Sequence, residues 1–177
     1  LRNLSLAALI SPAPMLHGIA APAACVHGGE DPEWARRMTA MREIELGPLR
    51  LGARQPLFLI AGPCVIESEE HATRLAEHLA ALTSALGLPF VFKASFDKAN
   101  RSALSSYRGP GLIEGLRILR AIKARFDVPL LTDVHEAAQV APASEVCDIL
   151  QVPAFLCRQT DLLLAVGASG RVVNVKK

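Results

Sequence analysis

A chain of 177 residues is long enough to bury one sizeable hydrophobic core. The formal net charge is +2 and aromatic residues make up only 5%, so the composition does not predict nucleic-acid binding. The four cysteines form no CxxC pair, which argues against a zinc knuckle or a disulfide framework and favours a reducing, cytoplasmic setting. No apolar stretch reaches the roughly 20 residues that span a bilayer, so no membrane partner is predicted.

The first 40 residues differ in pattern from the rest. An arginine, an apolar run and small residues before Cys25 are similar to a secretory or lipoprotein signal, but Pro12 and Pro14 interrupt the run. We predict instead that residues 1–40 are a disordered leader. The folded domain is then expected over residues 41–177, beginning with a strand, a turn and a second strand in "MREIELGPLRLGARQPLFLIAG".

From residue 57 onwards, short apolar runs alternate with amphipathic segments. Strands are predicted at residues 57–62 and in "PFVFKAS", "VPLLTD", "CDILQV" and "RVVNV". Helices are predicted after Ser68, in "GLIEGLRILRAIKARF", around residues 136–141 and from about residue 160 to 167. In the first helix, apolar residues repeat at helical spacing at Leu75, Leu79, Leu82 and Leu86. Repeated βα units with apolar strands indicate a parallel sheet covered by helices.

Two α/β architectures fit this pattern, an open doubly wound sheet and a closed (β/α)8 TIM barrel. No GxGxxG fingerprint follows the first long strand. Polar side chains instead follow the carboxyl end of each strand, the edge at which a barrel gathers its catalytic groups: Cys64, Glu67, Lys93, Ser95, Asp133, His135, Gln151, Asn174 and Lys176. We therefore predict a barrel. Since eight units take roughly 250 residues, we expect this chain to hold about the first five units of a C-terminally truncated barrel.

The segment "KASFDKANRSALSSYRGPG" is unusually long and basic. A solvated surface loop is its simplest interpretation, but a loop of this length inside a compact domain is usually functional. Arginine guanidinium groups, together with hydroxyl and amide groups, are well placed to bind a phosphate through paired hydrogen bonds. With Arg158 before a predicted helix and Lys176 after the last strand, the pattern predicts one or two substrates with several negative charges. The basic residues of the segment are Lys93, Lys98, Arg101 and Arg108.

Three of the polar positions remain ambiguous when considered singly. Asp133 and His135 lie two apart at a strand end, a spacing compatible with metal ligation, sugar-hydroxyl binding or loop capping. A cysteine at a strand end, such as Cys64, is more often a packing residue than a ligand.

Taken in order, the segments "GPCVIES", "KASFDKANRS", "SYRGPG", "TDVHE", "PAFLCRQTDL" and "NVKK" resemble the 3-deoxy-D-manno-octulosonate 8-phosphate synthase family. The resemblance covers nearly all of residues 41–177. It implies a cytoplasmic, usually homotetrameric (β/α)8 barrel that condenses phosphoenolpyruvate with D-arabinose 5-phosphate and water in lipopolysaccharide biosynthesis. One alternative is the related 3-deoxy-heptulosonate 7-phosphate synthases, in which a Lys-Pro-Arg motif after the second strand would be expected. The other is an inactive barrel fragment that only binds anions.

The resemblance also implies roles for individual residues. The catalytic residues would be Lys93, Lys98, Asn100 and Lys176. Phosphoenolpyruvate would be held by Lys93, Ser95, Gln151, Ala154, Arg158 and Lys176, and arabinose 5-phosphate by Lys98, Asn100, Arg101, Ser102 and Asp133. Cys64 would be a thiolate ligand of a divalent metal ion, because the metal-independent form of the family has Asn at that position. The further metal ligands are expected beyond residue 177.

Overall fold

The computed structural model describes residues 43–52, 55–101 and 103–177. The predicted leader, residues 1–40, lies outside these ranges. The described part begins with an antiparallel hairpin of β1 (Ile44–Leu46) and β2 (Leu49–Leu51). Gly47 takes a φ of +57° in the tight connection, a conformation that glycine adopts without a steric penalty. The strand, turn and strand predicted for this region are confirmed.

The remaining elements alternate between strands and helices. They are β3 (Leu59–Ala61), α1 (Glu69–Ala85), β4 (Phe90–Lys93), α2 (Leu112–Phe126), β5 (Leu130–Asp133), α3 (Ala137–Val146), β6 (Ile149–Val152), a 3-10 helix (Ala154–Leu156), α4 (Thr160–Ala168) and β7 (Val172–Val175). The five strands β3 to β7 form a parallel sheet in sequential order. Doubly wound sheets reverse their strand order at a switch point, whereas a barrel keeps it. The α/β prediction is confirmed, and the architecture is that of a partial (β/α)8 barrel.

Alternation along the strands gives the sheet two apolar faces. The outer face, which includes Phe92 and Leu130, packs against the helices in the main core. The inner face, which includes Val91 and Leu131, packs against Leu46 and Leu51 of the hairpin. Successive side chains point to opposite faces, so each polar residue two positions after an inner apolar residue also faces inward. The inner face is therefore apolar near the starts of the strands and polar at their carboxyl ends.

Two helices differ from the expectation. Helix α3 runs from Ala137 to Val146, five residues beyond the predicted 136–141, although Pro142 lies inside it. Val140, Ala143 and Val146 are buried against the core, and this packing compensates for the hydrogen bond that proline removes. Helix α1 differs in its buried face. Its N-cap Ser68 accepts a hydrogen bond from the His71 amide, and its buried residues are Ala72, Ala76, Leu79 and Thr83, of which only Leu79 belongs to the predicted leucine repeat.

No helix in the described part of the chain is both long and apolar enough to cross a membrane.

Candidate functional site

The carboxyl ends of three neighbouring strands place polar side chains in one row. Asp133 of β5 is paired with Gln151 of β6, and Gln151 is paired with Asn174 of β7. The Asn174 amide donates a hydrogen bond of 2.9 Å to the side-chain oxygen of Gln151. Because parallel strands end at the same edge, these groups and Lys93 of β4 line the inner rim of the sheet.

A buried, hydrogen-bonded network lies at this rim. The Lys93 ammonium group donates to the Ser95 hydroxyl at 2.7 Å and to the Cys64 carbonyl at 3.3 Å, and it lies 3.7 Å from the Asp133 carboxylate. The Ser95 hydroxyl in turn donates to Asp133. The side chains of Lys93 and Asp133 are only 8% and 11% exposed. Burial lowers the pKa of Lys93, and the negative charge of Asp133 opposes this effect.

His135 completes the network, although the sequence left its role open. Its Nε2 lies 3.2 Å from the second oxygen of Asp133, and its ring meets Phe96 edge to face. Its buried Nδ1 has no hydrogen-bond partner among the described residues. Burial raises the pKa of Asp133, but the contacts with His135, Lys93 and Ser95 outweigh this effect and hold that pKa below its ordinary value. The two-residue spacing in "TDVHE" was the signal for this pair.

A second group of residues forms a pocket beside the network. Its volume is about 640 Å³, within the usual range for small-molecule sites. Lys98, which contacts the Cys64 sulfur, lines the pocket with Asn100 and Arg101. The lining residues are Cys64, Val65, Glu67, Lys98, Asn100, Arg101, Ser106 and Tyr107. The structure thus brings three of the predicted pentose-phosphate residues together. Ser106 and Tyr107, to which the family resemblance gave no role, also line the pocket.

Cys64 joins the two groups, since its carbonyl contacts Lys93 and its sulfur contacts Lys98. Asp133, which was assigned to the pentose phosphate, lies in the Lys93 network rather than among the residues that line the pocket. The nearby charges of Lys98 and Lys176 both depress the pKa of Lys93 further, so three cations share one region of the rim. That concentration of positive charge suits an anionic ligand.

Three other predicted residues are exposed to solvent. Ala154 and Arg158 are exposed in the segment between β6 and α4. Lys176 is exposed as well, and its backbone amide donates to the Val152 carbonyl at 3.0 Å. No hydrogen bond or ion pair between described residues joins the side chain of Arg158 or Lys176 to the Lys93 network. Ser102 lies outside the described residues.

Cys64 is the one predicted metal ligand that lies among the described residues. Within residues 43–52, 55–101 and 103–177, no group of three or more His, Cys, Asp or Glu side chains is placed to hold a metal ion. Cys64 offers a single sulfur, and the charged group in contact with that sulfur is the Lys98 ammonium. The described donor set does not by itself fit a divalent metal ion, whose protein sites use several ligands.

Comparison with known proteins identifies the family. Residues 38–177 match the model of the DAHP synthetase I family. The chain is 60% identical over 136 residues to a 2-dehydro-3-deoxyphosphooctonate aldolase of Pelobacter propionicus, covering 77% of this chain and 50% of the relative. A protein of the same name from Pisum sativum is 56% identical over 128 residues, covering 72% of this chain and 44% of that protein. The chain spans about half the length of these relatives. By the match over residues 38–177, the chain belongs to the DAHP synthetase I family.

Proposed function

We propose that this protein condenses phosphoenolpyruvate with D-arabinose 5-phosphate and water to give 3-deoxy-D-manno-octulosonate 8-phosphate and phosphate. The observation that carries the proposal is the junction at Cys64, where a buried lysine network adjoins a pocket with its own lysine and arginine. Two adjacent cationic regions suit two phosphorylated substrates that would otherwise repel each other. The relatives' name supports the eight-carbon product over the seven-carbon product of the related synthases, although the family description names the latter.

The phosphoenolpyruvate site is proposed at the Lys93 network. Lys93, Ser95 and Gln151 line the inner rim, and Ala154, Arg158 and Lys176 are assigned by their motifs. In the reaction, C3 of the enol attacks the pentose aldehyde, water adds at C2, and the C2–oxygen bond to phosphate breaks. Lys93 is 8% exposed, so its charge acts on the substrate carboxylate or phosphate with little solvent screening.

The arabinose 5-phosphate site is proposed at the 640 Å³ pocket. Lys98, Asn100 and Arg101 line it, and Ser102 is assigned by its motif. The catalytic roles proposed for Lys98 and Asn100 also rest on the family motifs. The roles proposed for Asp133 and Lys176, towards the pentose and in catalysis respectively, rest on the family motifs.

Cys64 is proposed as one ligand of a divalent metal ion, with the other ligands supplied by residues outside the described set. Such an ion would orient the aldehyde or the attacking water. The binding roles of the lysines, Asn100 and Arg101 do not depend on it. A cytoplasmic homotetramer that serves lipopolysaccharide biosynthesis is proposed from the family motifs alone.

The test is phosphate release from phosphoenolpyruvate by the protein expressed from its complete reading frame. We expect release only when arabinose 5-phosphate is present, with incorporation of both carbon skeletons into an eight-carbon product. Erythrose 4-phosphate in place of the pentose tests the seven-carbon alternative. Absence of pentose-dependent release, together with retained binding of phosphoenolpyruvate, would support the anion-binding alternative and contradict the synthase assignment.

A further inference from the structure

We infer that the ion pair between Asp97 and Arg108 is a clasp that joins the two ends of the loop carrying Lys98, Asn100 and Arg101, holds these pocket-lining residues in place and thereby sets the affinity for the pentose phosphate. The inference rests on the proposed function and adds two positioning residues to it. Neither residue lines the pocket itself.

The pair has the geometry of a two-point contact. Arg108 donates from Nε to Oδ1 of Asp97 at 2.8 Å and from Nη2 to Oδ2 at 2.6 Å. Parallel hydrogen bonds of this kind fix the orientation of both planar groups, which a single lysine contact does not do. The Asp97 side chain is only 18% exposed, although Arg108 is 54% exposed. The contact is therefore partly shielded from solvent on the carboxylate side.

The backbone joins the same two ends of the loop. The Lys98 amide donates to the Arg108 carbonyl at 2.6 Å, and the Gly111 amide donates to the Phe96 carbonyl at 3.0 Å. Gly109 has a φ of +120°, and a Cβ atom there would lie 2.4 Å from the Phe96 carbonyl oxygen. Only glycine permits this approach. The two ends of the loop are thus joined by two backbone hydrogen bonds and by the paired hydrogen bonds between Arg108 and Asp97.

The clasp changes the expected role of Arg108. The sequence pattern grouped it with the cations available to a phosphate, but its fork faces Asp97. Lys98 and Arg101 are the basic residues of the loop that line the pocket. Lys98 directly follows Asp97 in the sequence, so loss of the ion pair removes one of the three contacts that join the ends of the loop beside Lys98. If the closed loop becomes a minority state, the apparent affinity for the ligand falls in proportion to its population.

The experiment compares Arg108→Gln, Arg108→Lys, Asp97→Asn and the double variant Asp97→Asn/Arg108→Gln with the unmodified protein, all expressed from the complete reading frame. Arg117→Gln is the matched control. Arg117 is 50% exposed and makes similar paired contacts with Glu69 and Glu114, but it lies on helix α2, away from the pocket lining. Steady-state kinetics are measured with each substrate varied in turn, and amide hydrogen exchange is measured at Lys98 and Gly111.

We expect KM for arabinose 5-phosphate to rise about tenfold in Arg108→Gln and Asp97→Asn, by the population argument above. KM for phosphoenolpyruvate and kcat should stay close to the unmodified values, and Arg108→Lys should recover part of the loss. The double variant should be no worse than either single one, because each substitution already opens the clasp. Exchange at Lys98 should accelerate in the clasp variants and not in Arg117→Gln.

If the unmodified enzyme is active and Arg108→Gln, Asp97→Asn and Arg117→Gln all have its KM for the pentose phosphate, the clasp is overturned and the proposed function stands. An unmodified protein without pentose-dependent phosphate release would overturn both. Should Arg108→Gln fail to fold, the near-isosteric Asp97→Asn decides the question.

Discussion

Lys98 donates a hydrogen bond from its ammonium group to the sulfur of Cys64. The Cys64 carbonyl, on the same residue, accepts from Lys93. Cys64, which follows β3 in the chain, therefore contacts both the lysine of the buried network and the lysine of the pocket. Because Cys64 contacts both lysines, substitutions of Cys64 and of Lys98 can separate effects on metal content from effects on substrate binding.

Replacement of Cys64 and of Lys98 should give different results. We expect Cys64→Ala to lower the metal content of the purified protein, because the proposed thiolate ligand is lost. Lys98→Gln should keep the metal and instead raise KM for the pentose phosphate. Metal stoichiometry by elemental analysis, beside kinetics, provides the measurement. Equal metal content in Cys64→Ala and the unmodified protein would contradict the proposed ligand role.

Removal of Asp133 should destabilise the protein strongly. Asp133→Ala leaves the buried Lys93 charge without its carboxylate partner, a change that costs about 3–5 kcal/mol in comparable buried pairs. The double variant Lys93→Met/Asp133→Leu removes both charges and should be more stable than Asp133→Ala. Urea denaturation of the single and double variants measures the two free energies of unfolding. A double variant less stable than Asp133→Ala would show that the charge left on Lys93 is not the cause.

Two helical glycines should respond in opposite directions to alanine. At Gly115 in α2, a Cβ atom would lie 2.3 Å from Cβ of Phe96, so Gly115→Ala should overpack the core and cost about 1–3 kcal/mol. At Gly167 in α4, no heavy atom lies within 4 Å of the new Cβ, so Gly167→Ala should stabilise the protein by up to about 1 kcal/mol. Thermal melts of the two variants, which carry the same chemical change, provide the comparison. Similar shifts of Tm in both would argue against the contact with Phe96.

The buried thiol of Cys147 should make the protein less stable in alkali. Burial, with a smaller contribution from the charge of Asp148, raises the pKa of Cys147 from 9.0 to about 12. The unfolded chain loses the thiol proton above pH 9, whereas the folded chain keeps it, so the stability is full below pH 9 and falls between pH 9 and 12. The limiting slope is about 1.4 kcal/mol per pH unit.

Cys147→Ala provides the control for this pH dependence, because its cavity cost does not change with pH. We expect the difference in unfolding free energy between the unmodified protein and the variant to be constant below pH 9 and to shift in favour of the variant above it. Urea titrations at several pH values measure the difference. A difference that stays flat to pH 11 would contradict the raised pKa.

The spacing of apolar residues predicted much of the fold, because it reflects the periodicity of strands and helices. Apolar runs marked β3 to β7, and the residues at their ends marked the rim that now carries Lys93, Asp133 and Gln151. The same pattern did not identify the buried face of α1. Leu82 and Leu86 belong to its leucine repeat but are 45% and 62% exposed. Ala72 and Ala76 are fully buried instead, since their small side chains occupy the side that packs against the core.

The sequence by itself determined the α/β class, the order of the elements and the family, because these depend on spacing and residue type within short segments. The tertiary structure alone decided the partners of the charged groups in the basic loop. Arg108 pairs with Asp97, and Lys98 pairs with Cys64. These contacts join residues 11 and 34 positions apart. Contacts over such separations depend on how the loops return to the sheet and on the register of its strands, which no single segment specifies.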